Sequence, residues 1–141
     1  MPTMNRFLGV LAVIYILVSG CTVRSSEVTS PNGHIRLAFA LDGNNRMTYQ
    51  VSVGDTVFIA PSLLGFTAKD GVNLAEGFKV INTDFTTHDE TWTQPWGENK
   101  TIRNHYNEMA VHLSDTTNAK LTLRFRIFDD GLGFRYEYEV P

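Results

Sequence analysis

Between Lys120 and Phe128 the chain alternates without a break: Leu121, Leu123, Phe125 and Ile127 are apolar, while Lys120, Thr122, Arg124 and Arg126 are polar or charged. A period of two puts each set on its own side of an extended strand, whereas a helix would bring together residues three and four apart. A strand with one dry face constrains the whole fold. It must be hydrogen-bonded to neighbours and covered by a second layer, so the chain has to supply a sheet and something to pack on it. The arginines of the wet face should then tolerate alanine, at a cost within about 0.5 kcal/mol.

The same alternation recurs along the chain. In His34 to Leu41, Ile35, Leu37, Phe39 and Leu41 share a face; in Met47 to Val53, Tyr49, Val51 and Val53 do; Phe134, Tyr136 and Tyr138 alternate with Arg135, Glu137 and Glu139. Thr56 to Ala60, Leu64 to Ala68, Phe78 to Thr87 and Glu108 to Leu113 read as further strands. Between them stand Pro31-Asn32-Gly33, Asp42-Gly43-Asn44-Asn45, Gly54-Asp55, Lys69-Asp70-Gly71 and Asp129-Asp130-Gly131, residue types that turn the chain because Asn and Gly tolerate positive φ. Only Val72 to Glu76 offers a helical turn. Short strands at regular spacing, each with one wet face, predict an all-β antiparallel sandwich.

The first twenty residues carry a different pattern. Arg6 precedes an apolar run from Phe7 to Val18, about a dozen residues and short of the roughly 20 needed to span a bilayer as a helix. Ser19, Gly20 and Cys21 follow, which is the layout of a signal peptide. Leu17-Val18-Ser19-Gly20-Cys21 resembles the bacterial lipobox, in which the cysteine is acylated and becomes the first residue of the mature protein. Residues 1–20 are therefore read as a lipoprotein signal-peptide helix, 21–26 as a polar tether and 27–141 as one β domain. The expected location is outside the cytoplasm, at the periplasmic or outer-membrane face, held by a lipid at Cys21. Cys21 is the sole cysteine, so no intrachain disulfide can form. A net charge of -3 with no basic stripe gives no reason to expect nucleic acid as a partner.

The stretch Trp92 to Glu108 holds both tryptophans together with Arg103, His105 and several amides. It reads as a long polar loop, the place where a β scaffold usually carries its function. Trp96, Glu98, Arg103 and Asn104 are the candidate sugar-facing residues. An indole stacks on the apolar face of a pyranose, and carboxylate, guanidinium and amide groups hydrogen-bond its hydroxyls. The alternative is that Trp96 and Arg103 hold the loop or meet another domain. Other polar groups have plainer readings. Asp129 and Asp130 belong to a hairpin turn, His88, Asp89 and Glu90 to a solvated loop, and His34 and His112 to the surface. His105 and Glu108, three apart, would point to opposite faces of a strand, so no metal site is assigned.

Trp96-Gly97-Glu98 followed by Ile102-Arg103-Asn104-His105-Tyr106-Asn107-Glu108, and Phe128-Asp129-Asp130-Gly131-Leu132-Gly133-Phe134-Arg135-Tyr136-Glu137, resemble the N-terminal domain of glycoside hydrolase family 97. Ser30-Pro31-Asn32-Gly33 and the strand containing Leu37-Ala38-Phe39 are similar to that domain's opening. The resemblance implies a β-supersandwich similar to galactose mutarotase, set before a (β/α)8 barrel that hydrolyses α-glucosides or α-galactosides with calcium in its active site. It places the catalytic carboxylates in the barrel, so none is carried onto this sequence. The chain alone, incomplete as a supersandwich, is expected to bind no cofactor and to be inactive. Two readings of other classes stand beside this one: a free-standing carbohydrate-binding lipoprotein, and a structural β domain that docks a protein partner.

Overall fold

The computed structural model describes residues 25–67, 69 and 71–138. The signal segment, Cys21 and most of the tether lie outside the described residues. Eight strands follow in order: β1 (Ser26–Thr29), β2 (Ile35–Leu41), β3 (Met47–Val53), β4 (Thr56–Leu63), β5 (Lys79–Thr93), β6 (Thr101–Ser114), β7 (Lys120–Ile127) and β8 (Leu132–Tyr138). They form two four-stranded sheets, β1-β2-β3-β4 and β5-β6-β7-β8, and every neighbouring pair is antiparallel. The all-β sandwich expected from the alternation is what the chain adopts. Ser26, placed in the tether by the sequence reading, is the first residue of β1 and pairs with Phe39.

The two sheets pack through the alternating apolar residues. Leu37, Phe39, Met47 and Val51 from the first sheet meet Met109, Val111, Leu113, Leu121, Leu123, Phe125 and Ile127 from the second, all buried. Phe39 and Phe125 bridge the sheets with ring centroids 6.1 Å apart. The sheets are bound at their ends as well. The backbone N–H of Asn32, in the β1–β2 turn, donates to Asp129 Oδ1 in the β7–β8 turn at 2.9 Å. The side-chain amide of Asn107 donates to the carbonyl of Thr29 at 2.9 Å. β5 is an outer strand of its sheet, and its Phe85 remains 56% exposed.

Three expectations are corrected. Of the expected strand Leu64 to Ala68, residues 64–67 are described and form no strand: among the described residues there is an isolated bridge between Thr67 and Asn73. Gly65 explains the break. Its φ is +127°, and a Cβ there would lie 2.4 Å from the Ala75 backbone, so the chain bends where two segments touch. Val72 to Glu76 makes no helical turn; instead Leu74 is buried in the core. The stretch Trp92 to Glu108 is mostly strand rather than loop. β5 runs on to Thr93, β6 starts at Thr101, and the true turn is only residues 94–100.

Candidate functional site

The distal halves of β5 and β6 pair only with each other. β7 accompanies β6 from Ser114 to Asn107, and beyond that the register from Tyr106↔His88 to Thr101↔Thr93 is a two-stranded ribbon. Six residues at about 3.3 Å each carry it roughly 20 Å past the sheet. Its polar residues are knitted across the strands. Arg103 donates from Nε and Nη2 to the two oxygens of Asp89 at 2.8 and 2.7 Å. This bond from the guanidinium holds the Asp89 carboxyl below its usual range. Asn104 donates to Glu90 at 3.1 Å, and His88 lies 3.0 Å from the same Glu90 oxygen. His88, Asp89 and Glu90 are thus strand residues with partners, not a loop.

The turn at the tip is tied by Gln94, whose side chain donates to the Asn99 carbonyl at 2.9 Å, and by Gly97 at φ +118°. Trp96 stands 82% exposed beside a shallow recess of about 410 Å³ lined by Thr93, Gln94, Pro95, Trp96, Gly97 and Lys100. The four sugar-facing candidates are therefore not one patch. Trp96 and Glu98 share the tip. Arg103 and Asn104 are neighbours on β6 and point to opposite faces of the ribbon, each already bonded to a β5 carboxylate. Gln94 and Lys100, at the recess, are the residues that the sequence reading did not single out.

The outer face of the second sheet carries a network that the reading missed. Glu108 is only 8% exposed. It accepts hydrogen bonds from Arg124 Nη1 and from Arg126 Nε, the latter at 2.7 Å. Burial pushes the Glu108 carboxyl up, and the bonds from Arg126 and Arg124 outweigh it, leaving the group lowered. Arg124 also grips Glu137 with Nε and Nη2 at 2.8 and 3.0 Å, and Arg135 Nε reaches Glu137 at 2.7 Å. The Arg126 guanidinium lies 4.7 Å above the Tyr106 ring, which stacks on His88 and leans on Phe128. Farther along, His112 bridges Asp84 and Thr122 at 2.9 Å each. The wet face of β7 is correctly placed, but Arg124 on it is a bonded and largely covered group rather than a free one. The signal in the sequence was the charge on the wet faces of β7 and β8, Arg124, Arg126, Arg135 and Glu137; the register sets Arg124 opposite Arg135 and Arg126 opposite Gly133, so the Arg124–Glu137 pair is diagonal and cannot be named without it.

Glu137 gives a pH prediction. The bonds from Arg124, with Arg135, bring its carboxyl from 4.5 down to about 2. A depressed carboxyl stabilises the fold above its unfolded value and loses that contribution as pH falls from about 4.5 to about 2. Acid titration of a Glu137→Gln variant, followed by circular dichroism, should show a flatter fall in stability over that window than the parent does. Identical curves would mean that the pair contributes nothing. The side chain is 34% exposed, so screening keeps the effect modest.

Asp129 and Asp130 sit in the β7–β8 turn, where the Phe128 N–H bonds the Gly131 carbonyl. His105 and Glu108 face opposite sides of β6. Among the described residues no three His, Cys, Asp or Glu side chains form a group that could hold a metal ion.

By class the chain is an all-β protein, a two-sheet antiparallel sandwich with a charged outer face and a projecting ribbon. Residues 28–141 match the family described as the N-terminal domain of glycosyl hydrolase 97, and the chain belongs to that family. It is 23% identical over 133 residues to a retaining alpha-galactosidase of Bacteroides thetaiotaomicron, covering 94% of this chain and 19% of that protein. A glycoside hydrolase family 97 enzyme from a Pseudoalteromonas species, solved in complex with panose, superposes with a TM-score of 0.76 at 30% identity over 82% of this chain and 18% of its own. The same enzyme has been solved with acarbose. A beta-arabinopyranosidase shares the fold, with a TM-score of 0.71 at 23% identity. The chain thus spans about a fifth of the length of the relatives it matches.

Proposed function

We propose that this domain serves an exported α-glycosidase, supporting the active site of a (β/α)8 barrel that hydrolyses α-glucosides or α-galactosides, and that its ribbon tip contacts the α-linked carbohydrate. The observation that carries this reading is the ribbon itself. An isolated two-stranded hairpin is marginal in water, yet this one projects roughly 20 Å and ends in a tryptophan left 82% exposed. A partner at its tip, sugar or barrel, accounts for both features. The resemblance of family members to α-glycosidases, and the panose and acarbose bound by a relative, support the substrate class. The family resemblance assigns the catalytic carboxylates and calcium to the barrel. The domain alone is expected to show no turnover of nitrophenyl α-glucoside or α-galactoside.

Panose is the probe for the tip. Its addition should quench the tryptophan fluorescence saturably in the parent and in Trp92→Phe, but not in Trp96→Phe. A saturable response that survives Trp96→Phe would remove the tip from the sugar site. No response in any protein would leave the tip as a contact for the barrel alone.

The lipobox reading makes this domain a lipid-tethered one. Metabolic labelling with a palmitate analogue should mark the parent and not Cys21→Ala. Equal labelling of both would refute acylation at Cys21.

A further inference from the structure

The sequence holds Asn-Gly once, at Asn32-Gly33, and Asp-Gly at Asp42-Gly43, Asp70-Gly71 and Asp130-Gly131. At such a step the glycine nitrogen, unhindered by a side chain, can attack the side-chain carbonyl carbon of the residue before it and close a five-membered succinimide. Asn-Gly closes faster near neutral pH, because ammonia leaves from a neutral amide whereas an ionised carboxylate must first be protonated. Asp70 lies outside the described residues; the fold treats the other three steps differently. Asn32 is locked. Its Oδ1 accepts Ser30 Oγ–H at 2.6 Å and the His34 N–H at 2.9 Å, and Ser30, 1% exposed, is itself fixed by the Ile35 N–H at 2.9 Å. The attacking group is tied too, since the Gly33 N–H donates to the Ser30 carbonyl at 2.8 Å. Asp42 is locked by the N–H groups of Asn44 and Arg46 at 2.9 Å each and by Arg46 Nε at 2.8 Å. The bonds from Arg46 hold its carboxyl below the usual range, and therefore ionised. Asp130 is exposed, and among the described residues its carboxylate has no hydrogen-bond partner and the Gly131 N–H no acceptor; the Gly131 carbonyl alone is engaged, by the Phe128 N–H.

We propose that the folded chain isomerises to isoaspartate at Asp130 and spares Asn32, the reverse of the order that the sequence alone dictates. The Gly131 nitrogen gives up its proton and bonds to Asp130 Cγ, and the protonated carboxyl loses its hydroxyl as water. Water then adds at the main-chain carbonyl of the succinimide and opens it, so that the backbone runs through the former side chain. One water leaves and one enters, so the mass is unchanged. Asn32 would instead release ammonia and show the mass gain of an amide turned to an acid. The lengthened turn carries Asp129, whose Oδ1 holds the Asn32 N–H across the sheets, so the modification strikes one half of that junction while the other half stays intact.

Peptide mapping of the full chain, incubated near neutral pH in native buffer and in urea, tests this, with isoaspartate read by labelling with an isoaspartyl methyltransferase. In urea Asn32 should react first. In native buffer Asn32 should slow at least about tenfold, since it reacts only when the turn opens, and Asp130 should become the faster site, ahead of Asp42. Gly131→Ala puts a methyl group on the attacking residue at a position where a Cβ meets nothing within 4 Å. Circular dichroism should be unchanged, and isoaspartate at Asp130 should fall at least about tenfold. Asn32 converting as fast in native buffer as in urea would overturn the proposal. So would isomerisation at Asp130 no faster than at Asp42, or undiminished by Gly131→Ala.

Discussion

Phe125→Ala is expected to destabilise the domain by about 3–5 kcal/mol, the largest loss of any single truncation in the second sheet. Phe125 is 0% exposed and stands where both sheets meet. Its ring contacts Phe39 across the sandwich at 6.1 Å and Phe134 on the next strand at 5.7 Å, and Met109 lies opposite it on β6. Removing it deletes the aromatic centre of the core and leaves a void that strands paired on both edges cannot close. In a domain of this size each kcal/mol moves the melting temperature by about 4–8 °C, so thermal melts should separate Phe125→Ala from Lys120→Ala by more than ten degrees. Lys120 is the exposed control on the same strand. Comparable melting temperatures for the two would refute the placement of the core.

Arg124→Ala is expected to cost about 2–3 kcal/mol, well above the few tenths usual for a strand arginine at the surface. Glu108 and Glu137 both depend on Arg124, and Glu108 cannot turn to water, its side chain being 10% exposed. Truncating Arg124 leaves a covered carboxylate with Arg126 alone. Arg126→Ala should cost less, about 1 kcal/mol, because Arg126 is 40% exposed where Arg124 is 25%, and makes one ion pair rather than two. A double-mutant cycle between Arg124 and Glu108, read by denaturant unfolding, should give a coupling above about 1 kcal/mol. Coupling near zero would show that the pair is ornamental.

The difference between those arginines and the alternation that located them marks how far local sequence reaches. β2, β3, β7 and β8 were legible because apolar residues alternate with polar ones in each and Asn- or Gly-containing turns bound them. The ribbon was not, for the same reason inverted. Thr87, Asp89, Thr91 and Arg103 make one face polar, and on the other Trp92, Ile102 and Tyr106 are mixed with His88, Glu90 and Asn104, so a period of two leaves only a weak trace in hydrophobicity. β1 was missed because Ser26, Glu27, Val28 and Thr29 contain a single apolar residue. Leu64, Phe66 and Ala68 did alternate, but Gly65 bends the chain against Ala75, a contact that only tertiary structure supplies. For the candidate site, the tip tryptophan was found by its chemistry. That Arg103 and Asn104 diverge follows from their adjacency once the segment is known to be a strand. The Glu108 network needed the register of three strands and could not have been read from any one of them.

Every ladder among the described residues joins strands that are consecutive in the chain, β1 to β4 in one sheet and β5 to β8 in the other. Each hairpin closes a short loop, so its entropic cost is small and its formation needs no distant segment. Long-range order enters only when the two meanders dock through Phe39, Met109 and Phe125. On a ribosome, the first meander is complete before any of the second has been made, and it waits with its dry face open until β6 and β7 emerge. The passage from Leu64 to Phe78, with Leu74 and Phe78 already apolar and core-bound, is the first cover available to that face.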